Sequence, residues 1–446
     1  MKPYLCIPAL TLSLSGMAQQ QTESPNIIIV YADDLGYGDI GINGHPDIKT
    51  PNLDRMGIDG MRFTNYYSAS PASTASRYSL LTGRYPIRSG FRWVLSADAE
   101  RGIHPDELTL AEALKKQGYA TAIFGKWHLG STRKAYLPLQ NGFDEYVGFP
   151  YSNDMLPPKY PDIPLMDGND TLELNPDQSQ LTALYTKKAL SFIERHRKEK
   201  FFLYLPYAMP HVPLHPGKNF AGKSKRGAYG DAVEELDWGV GEILKALKTH
   251  GLHENTVVWF MSDNGPWLTQ RERGGSAGLF RDGKGSTWEG GVRVPCLVQW
   301  PAHIRPEVNE KTVNAMDVYA TCIRLAGGDI PDDRTVDGQS IVSYLTGENG
   351  GEDKEAVPFF YYGINNQLMA VRKGMWKLHV KTYSQLGIDY FDGKQVLLFN
   401  LYTDPSEKYD LSDSRPDLVA ELSQLIKNQR EEALREGSFF DRENPK

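Results

Sequence analysis

Residues 26–34 read Asn-Ile-Ile-Ile-Val-Tyr-Ala-Asp-Asp. The run from Asn26 to Tyr31 is apolar and rich in β-branched side chains, which is typical of a strand buried on both faces of a parallel sheet. Asp33 and Asp34 follow this run immediately. Ligands of open α/β sheets gather at the carboxyl ends of the strands. The stretch therefore predicts a central parallel strand with an acidic site at its end.

The same design, an apolar run followed by polar side chains, occurs three more times. Segments with helical patterns lie between these runs, at 110–117, 181–196 and 232–250. Alternation of strands and helices predicts an α/β sandwich with a large, mostly parallel sheet, and 292–300 is expected to add a further core strand. The three runs are 121–124 before Lys126 and His128, 201–205 before His211, and 256–260 before Asp263 and Asn264.

The pattern changes after a stretch rich in Gly, Asp and Pro at 327–351. Short apolar runs then follow one another closely, which favours an antiparallel sheet, and 416–436 has the pattern of a charged amphipathic helix. The sequence thus predicts a catalytic domain over 25–335 and a smaller C-terminal α+β subdomain over 350–446. The expected short strands lie at 359–362, 367–372, 376–380 and 396–401.

The first residues have the pattern of a signal peptide. Lys2 precedes an apolar run at 5–14, and the small residues Gly16 and Ala18 precede a polar run at 19–23. We expect cleavage near Ala18, hence a signal peptide over 1–18 and a secreted protein; a short buried helix is the alternative. No later segment approaches the roughly 20 apolar residues that a membrane span requires.

Composition excludes several classes of protein. A net charge of -7 provides no general basic field, so no nucleic-acid partner is expected, and an anionic substrate would need a local cluster of cations. The three cysteines, Cys6, Cys296 and Cys322, form no C-x-x-C pair. This excludes a disulfide scaffold and a cysteine-rich zinc site.

The sharpest local motif is Ser73-Thr-Ala-Ser-Arg77-Tyr-Ser-Leu-Leu-Thr-Gly-Arg84. It resembles the signature of the type I sulfatases, in which Cys or Ser is followed by Pro or Ala at the second position and Arg at the fourth. Ser73, Ala75 and Arg77 fit that spacing. The resemblance implies that Ser73 is oxidised to formylglycine, and a Ser-rich helix N-cap is the alternative reading.

Further motifs of the sulfatase family follow in the family's order. The resemblance extends from about Pro25 to the segment 401–405, and it includes a resemblance to arylsulfatase A and N-acetylgalactosamine-6-sulfatase. It implies an alkaline-phosphatase-like sandwich with a large, mostly parallel mixed sheet flanked by helices. The motifs are Asp33-Asp34-Leu-Gly-Tyr-Gly-Asp, Gly125-Lys126-Trp-His128-Leu-Gly, His211-Val-Pro-Leu-His215, Ser262-Asp263-Asn264-Gly and Gly283-Lys284-Gly-Ser-Thr-Trp-Glu-Gly-Gly-Val-Arg.

The acidic residues have the chemistry of a hard metal site. Carboxylates at Asp33, Asp34 and Asp263 and the amide oxygen of Asn264 are oxygen ligands, residue 73 would add a fifth, and calcium fits this set best. Taken singly, the pairs could instead be an acidic turn and a helix cap. Two such pairs at the ends of separate strands favour a calcium site.

The cationic residues suit a sulfate ester, whose negative charge spreads in the transition state. Arg77, Lys126 and Lys284 would face the sulfate oxygens, and His128 and His211 would move protons. The alternative for Lys126 and Lys284 is that they are ordinary exposed lysines. The resemblance to arylsulfatase A also makes Ser152 a substrate-binding residue, and the same role is expected of His215.

The resemblance implies a hydrolase for sulfated carbohydrates, exo-acting on sulfated galactose or N-acetylhexosamine. Modification of a serine implies an anaerobic, bacterial serine-type maturation enzyme as a partner and a periplasmic location. Specificity is expected in the loops 151–170, 215–225 and 361–372. The alternatives are a phosphonate or phosphate monoester hydrolase of the same superfamily and, from another class, a non-catalytic protein that binds sulfated glycans.

Overall fold

The computed structural model describes residues 24–347 and 357–443. The signal peptide expected over 1–18 lies outside these residues. Strand β1 (Asn26–Ala32) forms where the sequence predicts it, and all seven of its residues are buried. It pairs in parallel with β7 (Phe201–Pro206) and β8 (Thr256–Ser262). A central position between two strands explains its uninterrupted apolar run.

The large sheet contains ten strands. Besides β1, β7 and β8 it has seven strands, five of which (β2, β4, β5, β6 and β10) the sequence pattern did not indicate. The seven are β2 (Met61–Tyr67), β3 (Ala120–Phe124), β4 (Glu145–Gly148), β5 (Pro164–Asp167), β6 (Asp170–Leu174), β9 (Cys296–Gln299) and β10 (Glu307–Asn314). The order is β10-β2-β9-β8-β1-β7-β3-β4-β5-β6, with parallel pairing at the centre. The large, mostly parallel mixed sheet is confirmed.

The strand expected over 292–300 is wrong in length. Residues Glu289–Val292 form a short helix instead, and β9 starts only at Cys296 and runs antiparallel to β2 and β8. Pro295, which precedes it, has no N–H to donate to a ladder.

Helices cover both faces of the large sheet. The side chains of β1 alternate between the two layers: Ile27 and Ile29 pack in one apolar cluster, and Ile28 and Val30 in the other. The helices are α1 (Pro51–Asp59), α2 (Ser73–Thr82), α3 (Leu110–Lys116), α4 (Leu181–Arg195), α5 (Gly227–Thr249), α6 (Glu289–Val292), α7 (Ala315–Leu325), α8 (Val342–Thr346), α9 (Pro416–Glu436) and α10 (Phe439–Glu443). Helices α2, α3 and α7 pack in the first cluster, and α1, α4 and α5 in the second.

A second sheet follows in the C-terminal part of the chain. Its strands, β11 (Phe359–Tyr362), β12 (Leu368–Lys373), β13 (Trp376–His379) and β14 (Leu397–Asn400), pair antiparallel in chain order. Helix α9 packs on this sheet through Leu422 and Ile426. The predicted short antiparallel sheet and its helix are confirmed. Within the described ranges, no helix is both long and apolar enough to cross a bilayer.

Candidate active site

The polar residues that follow four central strands meet at the carboxyl edge of the large sheet. Strands β8, β1, β7 and β3 are adjacent and parallel, so they end side by side. Four polar segments from distant parts of the sequence thereby share one site. The residues are Asp33 and Asp34 after β1, Lys126 and His128 after β3, His211 after β7, and Asp263 and Asn264 after β8.

Ser73 enters this site from the first turn of α2. Ala72 occupies the N-cap position and Ser73 is the first helical residue, so the Ser-rich segment does lie at a helix N-terminus, although Ser73 itself is not the cap. All ten residues of α2 are buried. Ser73 Oγ lies 2.6 Å from Asp263 Oδ2 and 3.1 Å from Asp33 Oδ1. The helix thus holds this hydroxyl between carboxylates from two different strands.

The carboxylates form a buried acidic cluster. The backbone N–H of Asp34 donates to Asp263 Oδ1 at 3.1 Å. Burial would raise the pKa of Asp33, but Lys126 and other nearby cations hold it well below its usual range. Burial and the charge of Asp33 raise the pKa of Asp263 to about 6. Additional positive charge at this position would favour the ionised form of Asp263.

The side chain of Asn264 indicates how a cation would fit. Its Nδ2 donates to Asp34 Oδ1 at 2.8 Å, which orients the amide. Its Oδ1 is buried and accepts no hydrogen bond from a described residue. A buried acceptor without a donor is costly unless positive charge meets it.

Two sets of ligands are available for such a cation. Ligand atoms of Asp33, Asp34 and His211 lie within 4.8 Å of one another. Hard divalent cations prefer oxygen to imidazole nitrogen, however, and His211 Nε2 already faces Lys284 Nζ at 2.9 Å. The residues therefore fit a hard cation held by oxygen atoms of Asp33, Asp34, Asp263, Asn264 and residue 73.

Arg77 and Lys126 balance the buried carboxylates. Arg77 Nη2 lies 2.9 Å from Asp263 Oδ2 and 3.4 Å from Asp33 Oδ2. Burial lowers the pKa of Arg77, but these two carboxylates raise it by more. Lys126 Nζ lies 2.5 Å from Asp33 Oδ2, 3.1 Å from Ser152 Oγ and 3.4 Å from Ser73 Oγ. Since Lys126 is fully buried, its reading as an ordinary exposed lysine is wrong.

His128 carries a neutral imidazole with one free nitrogen. Its Nε2 lies 3.0 Å from the carbonyl oxygen of Leu95, and because a carbonyl only accepts, Nε2 carries the proton. Its Nδ1 is buried and has no partner among the described residues. Burial and the charges of Lys126 and Arg77 lower the pKa of His128 well below its ordinary value. Nδ1 is therefore available as a proton acceptor.

His211, Lys284 and Trp267 form a second group. His211 Nδ1 meets the carbonyl oxygen of Val212, so Nε2 is left to accept a hydrogen bond from Lys284 Nζ. Lys284 Nζ also donates to Asp34 Oδ2 at 2.8 Å and lies 4.4 Å from the centre of the Trp267 ring. Burial lowers the pKa of Lys284, but Asp34 raises it by more. Lys284 is thus a fixed cation, which contradicts its reading as an ordinary exposed lysine.

These groups open on a cavity of about 270 Å³. Arg77 and the four predicted ligands Asp33, Asp34, Asp263 and Asn264 are buried and do not line it. The expected site residues that line it are Ser73, Lys126, His128, Ser152, His211 and Lys284.

His215 is placed differently. It is partly exposed and does not line this cavity. Burial lowers its pKa, and Asp177, which also lies outside the cavity, opposes that effect. The structure does not bring His215 together with the other site residues, and a substrate-binding role for it stays a prediction.

Several cavity residues were not identified from the sequence. Trp267 could have been identified from the sequence, because it stands three residues after Asn264 in the loop that leaves β8. Nothing in the sequence around Tyr383 and Gln385 indicated that they belong to the site. Gln385 nevertheless links two site loops, because its Nε2 donates to the carbonyl of Lys284 at 2.9 Å and its Oε1 accepts from the N–H of Thr269 at 3.0 Å. The full additional set is Trp93, Val94, Asp154, Met155, Trp267, Gly285, Ile364, Tyr383 and Gln385.

The three loops expected to set specificity contribute unequally. Loop 151–170 provides Ser152, Asp154 and Met155, and loop 361–372 provides Ile364. Loop 215–225 provides none of the lining residues.

Fold and site together define a hydrolase with an alkaline-phosphatase-like fold. Residues 25–328 match the sulfatase family, and residues 275–433 match the C-terminal part of N-sulphoglucosamine sulphohydrolase. The chain belongs to the sulfatase family, and it is a sulfuric ester hydrolase.

Similar proteins agree with this assignment. The chain is 38% identical to N-acetylgalactosamine-6-sulfatase of Mus musculus, over 95% of this chain and 88% of that protein. It is also 38% identical to arylsulfatase A of Bos taurus, over 94% and 89%. The crystal structure of Ps i-CgsB in complex with k-i-k-neocarrahexaose matches with a TM-score of 0.78 and 32% identity, over 91% of this chain and 93% of that one. The predicted family is confirmed.

Proposed function

We propose that this protein removes sulfate from sulfated carbohydrates with a formylglycine made from Ser73 and with a bound calcium ion. The observation that carries the proposal is the position of Ser73 Oγ. It lies within hydrogen-bond distance of the carboxylates of Asp33 and Asp263, which follow β1 and β8, near the buried cation of Lys126, and it faces the cavity.

Conversion of Ser73 would give the site its nucleophile. A hydrated formylglycine supplies one hydroxyl that can attack sulfur and a second that lets sulfate leave without another attack at sulfur. Asp33, Asp34, Asp263 and Asn264 would hold the calcium ion, which would supply Lewis-acid polarisation of a hydroxyl on residue 73. Asp263, whose Oδ2 lies 2.6 Å from Ser73 Oγ, is placed to accept the proton of the attacking hydroxyl. Lys126 and Arg77 supply fixed positive charge next to residue 73, where the transferring sulfuryl group gains charge.

The two histidines differ in their hydrogen bonds, which suggests separate roles. Lys284 is a partly buried cation and donates to His211, so this pair is suited to give a proton to the departing alcohol oxygen. His128 has a free Nδ1, so it is suited to take a proton from the second hydroxyl of residue 73. Each group would act from its own loop on the same small cavity.

The size of the cavity supports exo-action. About 270 Å³ lies below the range of roughly 300–1,000 Å³ typical of ligand pockets, which suits one terminal sugar better than the interior of a chain. Relatives named N-acetylgalactosamine-6-sulfatase, and a neighbour bound to a neocarrahexaose, support sulfated galactose or N-acetylhexosamine as substrate. We further propose a catalytic domain over 25–335, a C-terminal subdomain over 350–446, and periplasmic secretion after cleavage of residues 1–18.

The test is to produce the protein together with an anaerobic serine-type maturation enzyme. Peptide mass spectrometry should show that Ser73 has lost two hydrogen atoms, and activity should require that conversion. Ser73→Ala should fold and be inactive. An active preparation with Ser73 entirely unmodified would overturn the mechanism, and faster turnover of phosphate esters than of sulfate esters of the same alcohol would overturn the substrate class.

A further inference from the structure

The charges around the cavity are unevenly distributed. The cationic and imidazole groups cluster around Ser73, where the sulfate to be cleaved would lie. The remaining lining residues contribute aromatic, apolar and neutral polar surface, and a single charged side chain, Asp154. Among the described residues of the lining, no cation is left over for a second anionic group of the substrate.

Asp154 is placed to act on the substrate. It lies in the turn Ser152–Met155, in which the N–H of Met155 donates to the carbonyl of Ser152 at 3.1 Å. Ser152 Oγ in turn accepts from Lys126 Nζ. Asp154 therefore stands two residues from a direct contact of the catalytic lysine, in the wall of the same cavity.

The carboxylate of Asp154 has no hydrogen-bonding role in the described part of the fold. Its side chain is exposed, and within the described part of the chain it forms no hydrogen bond or ion pair. The acidic cluster beneath the site differs in this respect, because each of its carboxylates is bound by neighbouring donors. A free carboxylate in a cavity wall can accept hydrogen bonds from hydroxyl or amide N–H groups of a sugar.

We propose, on the basis of the proposed function, that Asp154 is a specificity-determining residue that selects sugars whose only anionic group is the sulfate to be cleaved. A second sulfate or a carboxylate on the same sugar would lie in a small cavity beside a like charge and would find no cation there. Like charges at short range repel one another, and the repulsion grows where a bound substrate excludes water from the cavity. The aromatic walls Trp93, Trp267 and Tyr383 would contact the apolar faces of a neutral ring.

A pair of aryl sulfates tests this without knowledge of the natural sugar. 3-Carboxyphenyl sulfate and 3-carbamoylphenyl sulfate have nearly the same shape and differ by one negative charge. The measured quantity is the ratio of kcat/KM for the amide to kcat/KM for the acid. Any intrinsic difference between the two leaving groups is the same in every variant, so a change in this ratio reports the protein's response to the extra charge.

We expect the wild-type enzyme to favour the amide and Asp154→Asn to lower the ratio at least about fivefold. Asp154→Ser should lower the ratio similarly, which would show that the effect is not peculiar to one variant. The melting temperature of each variant checks that it is folded. Asp170→Asn, which removes an exposed carboxylate from β6, should leave the ratio unchanged. Added salt should lower the wild-type ratio toward that of the variants.

A ratio that changes less than twofold in both Asp154 variants would overturn the inference. Such a result would leave the proposed function intact, because the enzyme would still hydrolyse the amide substrate. Failure of the proposed function would look different: the wild-type protein with formylglycine at residue 73 would hydrolyse neither sulfate ester.

Discussion

Two of the site residues have unusual backbone conformations. Asp34 and His128 have φ angles of 63° and 62°, at the points where the chain leaves β1 and β3. Non-glycine residues with positive φ are uncommon and tend to occur where the surrounding structure enforces them, often in active sites. The sequence predicted that Asp34 and His128 are site residues. It did not predict the backbone turn that directs their side chains inward.

The separate hydrogen bonds of Lys284 and His128 predict different kinetic defects. Lys284→Ala should lose turnover by about 100- to 1000-fold on sugar sulfates and by less on an activated aryl sulfate, because a phenolate needs little protonation. His128→Ala should slow both classes of substrate similarly, since its proposed proton comes from residue 73. Measurement of kcat/KM and kcat over a series of leaving groups checks this.

The matched variant for that comparison is His211→Ala, which removes the acceptor of the Lys284 hydrogen bond and should resemble Lys284→Ala. Equal impairment of Lys284→Ala on activated and unactivated esters would contradict a leaving-group role. Full turnover in His128→Ala would contradict its role as a base.

Residues with a motif were predictable, and residues without one were not. Asp33, Ser73 and Lys284 stand in short patterns of Gly and charged residues. Gln385 reaches the cavity only because a loop folds over it, and its local sequence resembles any polar loop. Asp154 lies in the loop 151–170 that was expected to set specificity, but the sequence did not single it out within that loop.

At the scale of elements, the burial of each strand and helix determined whether the sequence pattern could predict it. Strands β1, β7 and β8 are buried throughout and have continuous apolar runs. Strand β6 is exposed along its whole length at one edge of the sheet, and β10 at the other edge is mostly polar, so neither has the expected pattern. Helix α2 is hard to recognise for the opposite reason: it is fully buried but contains many hydroxyl groups.

The segment around Gln385 joins the C-terminal part of the chain to the site loops. Gln385→Ala removes both of its hydrogen bonds and should loosen the loop of Lys284. We expect roughly a tenfold loss in kcat/KM with sugar sulfates. The loss in kcat/KM should be smaller with activated aryl sulfates. The same dependence on the leaving group is expected for Lys284→Ala. Gln385→Glu keeps the acceptor for Thr269 but loses the donor to Lys284, so it should show the same dependence on the leaving group.

A matched control for this prediction is Gln424→Ala on the exposed face of α9, whose side chain donates a hydrogen bond to Asn428 on the same helix. It should behave as wild type. A loss in Gln385→Ala that is the same for all leaving groups would contradict a positioning role through Lys284.

Helix α5 carries a buried carboxyl that predicts a dependence of stability on pH. Glu235 Oε2 accepts a hydrogen bond from Gly217 N–H at 2.7 Å, but burial outweighs it and raises the pKa of Glu235 to about 7. The folded protein therefore keeps a proton that the unfolded chain releases above about pH 4.3. The stabilisation from this group is full below that pH and is lost as the pH rises through about 7.

Glu235→Gln should remove this contribution, because the amide stays neutral and can still accept from Gly217. The decline in the free energy of unfolding between pH 4.5 and 7 should become smaller by roughly 1–3 kcal/mol. Urea denaturation at several pH values measures it. The neighbouring Glu234, which is only partly buried, provides the control Glu234→Gln. An identical pH profile for Glu235→Gln and wild type would exclude this origin.

At the scale of the whole molecule, the two sheets are joined by a buried network of charges. Lys377 of β13 lies 2.8 Å from Glu289 and 3.0 Å from Glu407, and it donates to the carbonyl of Thr287 at 2.9 Å. Burial would raise the pKa of Glu289, but Lys377 and nearby arginines lower it to about 2. Thr287 is three residues from Lys284, so the second sheet supports the loop that carries a catalytic cation. Loss of one partner in such a network is costly because it leaves a buried charge unpaired.

The proposed calcium site also connects distant parts of the chain, because its ligands follow β1 and β8 and include the first residue of α2, from Asp33 to Asn264. An ion that binds only the folded arrangement stabilises it, by about 3 kcal/mol at 100 times its Kd. We therefore expect calcium to raise the melting temperature of chelator-treated protein and to restore its activity. Magnesium should do so less, since it demands stricter octahedral geometry.

Asp263→Asn should abolish the thermal shift produced by calcium, because it removes a charged ligand, whereas Asp170→Asn on the exposed strand β6 should keep it. Differential scanning calorimetry with and without calcium measures both. The comparison can be made even for an inactive variant, because calcium binding is detected as a change in melting temperature. If wild-type protein melted at the same temperature with calcium and with chelator, or if Asp263→Asn kept the full shift, the carboxylates at the ends of β1 and β8 would not be holding calcium. Their mutual repulsion would then have to be balanced by Arg77, Lys126 and Lys284 alone.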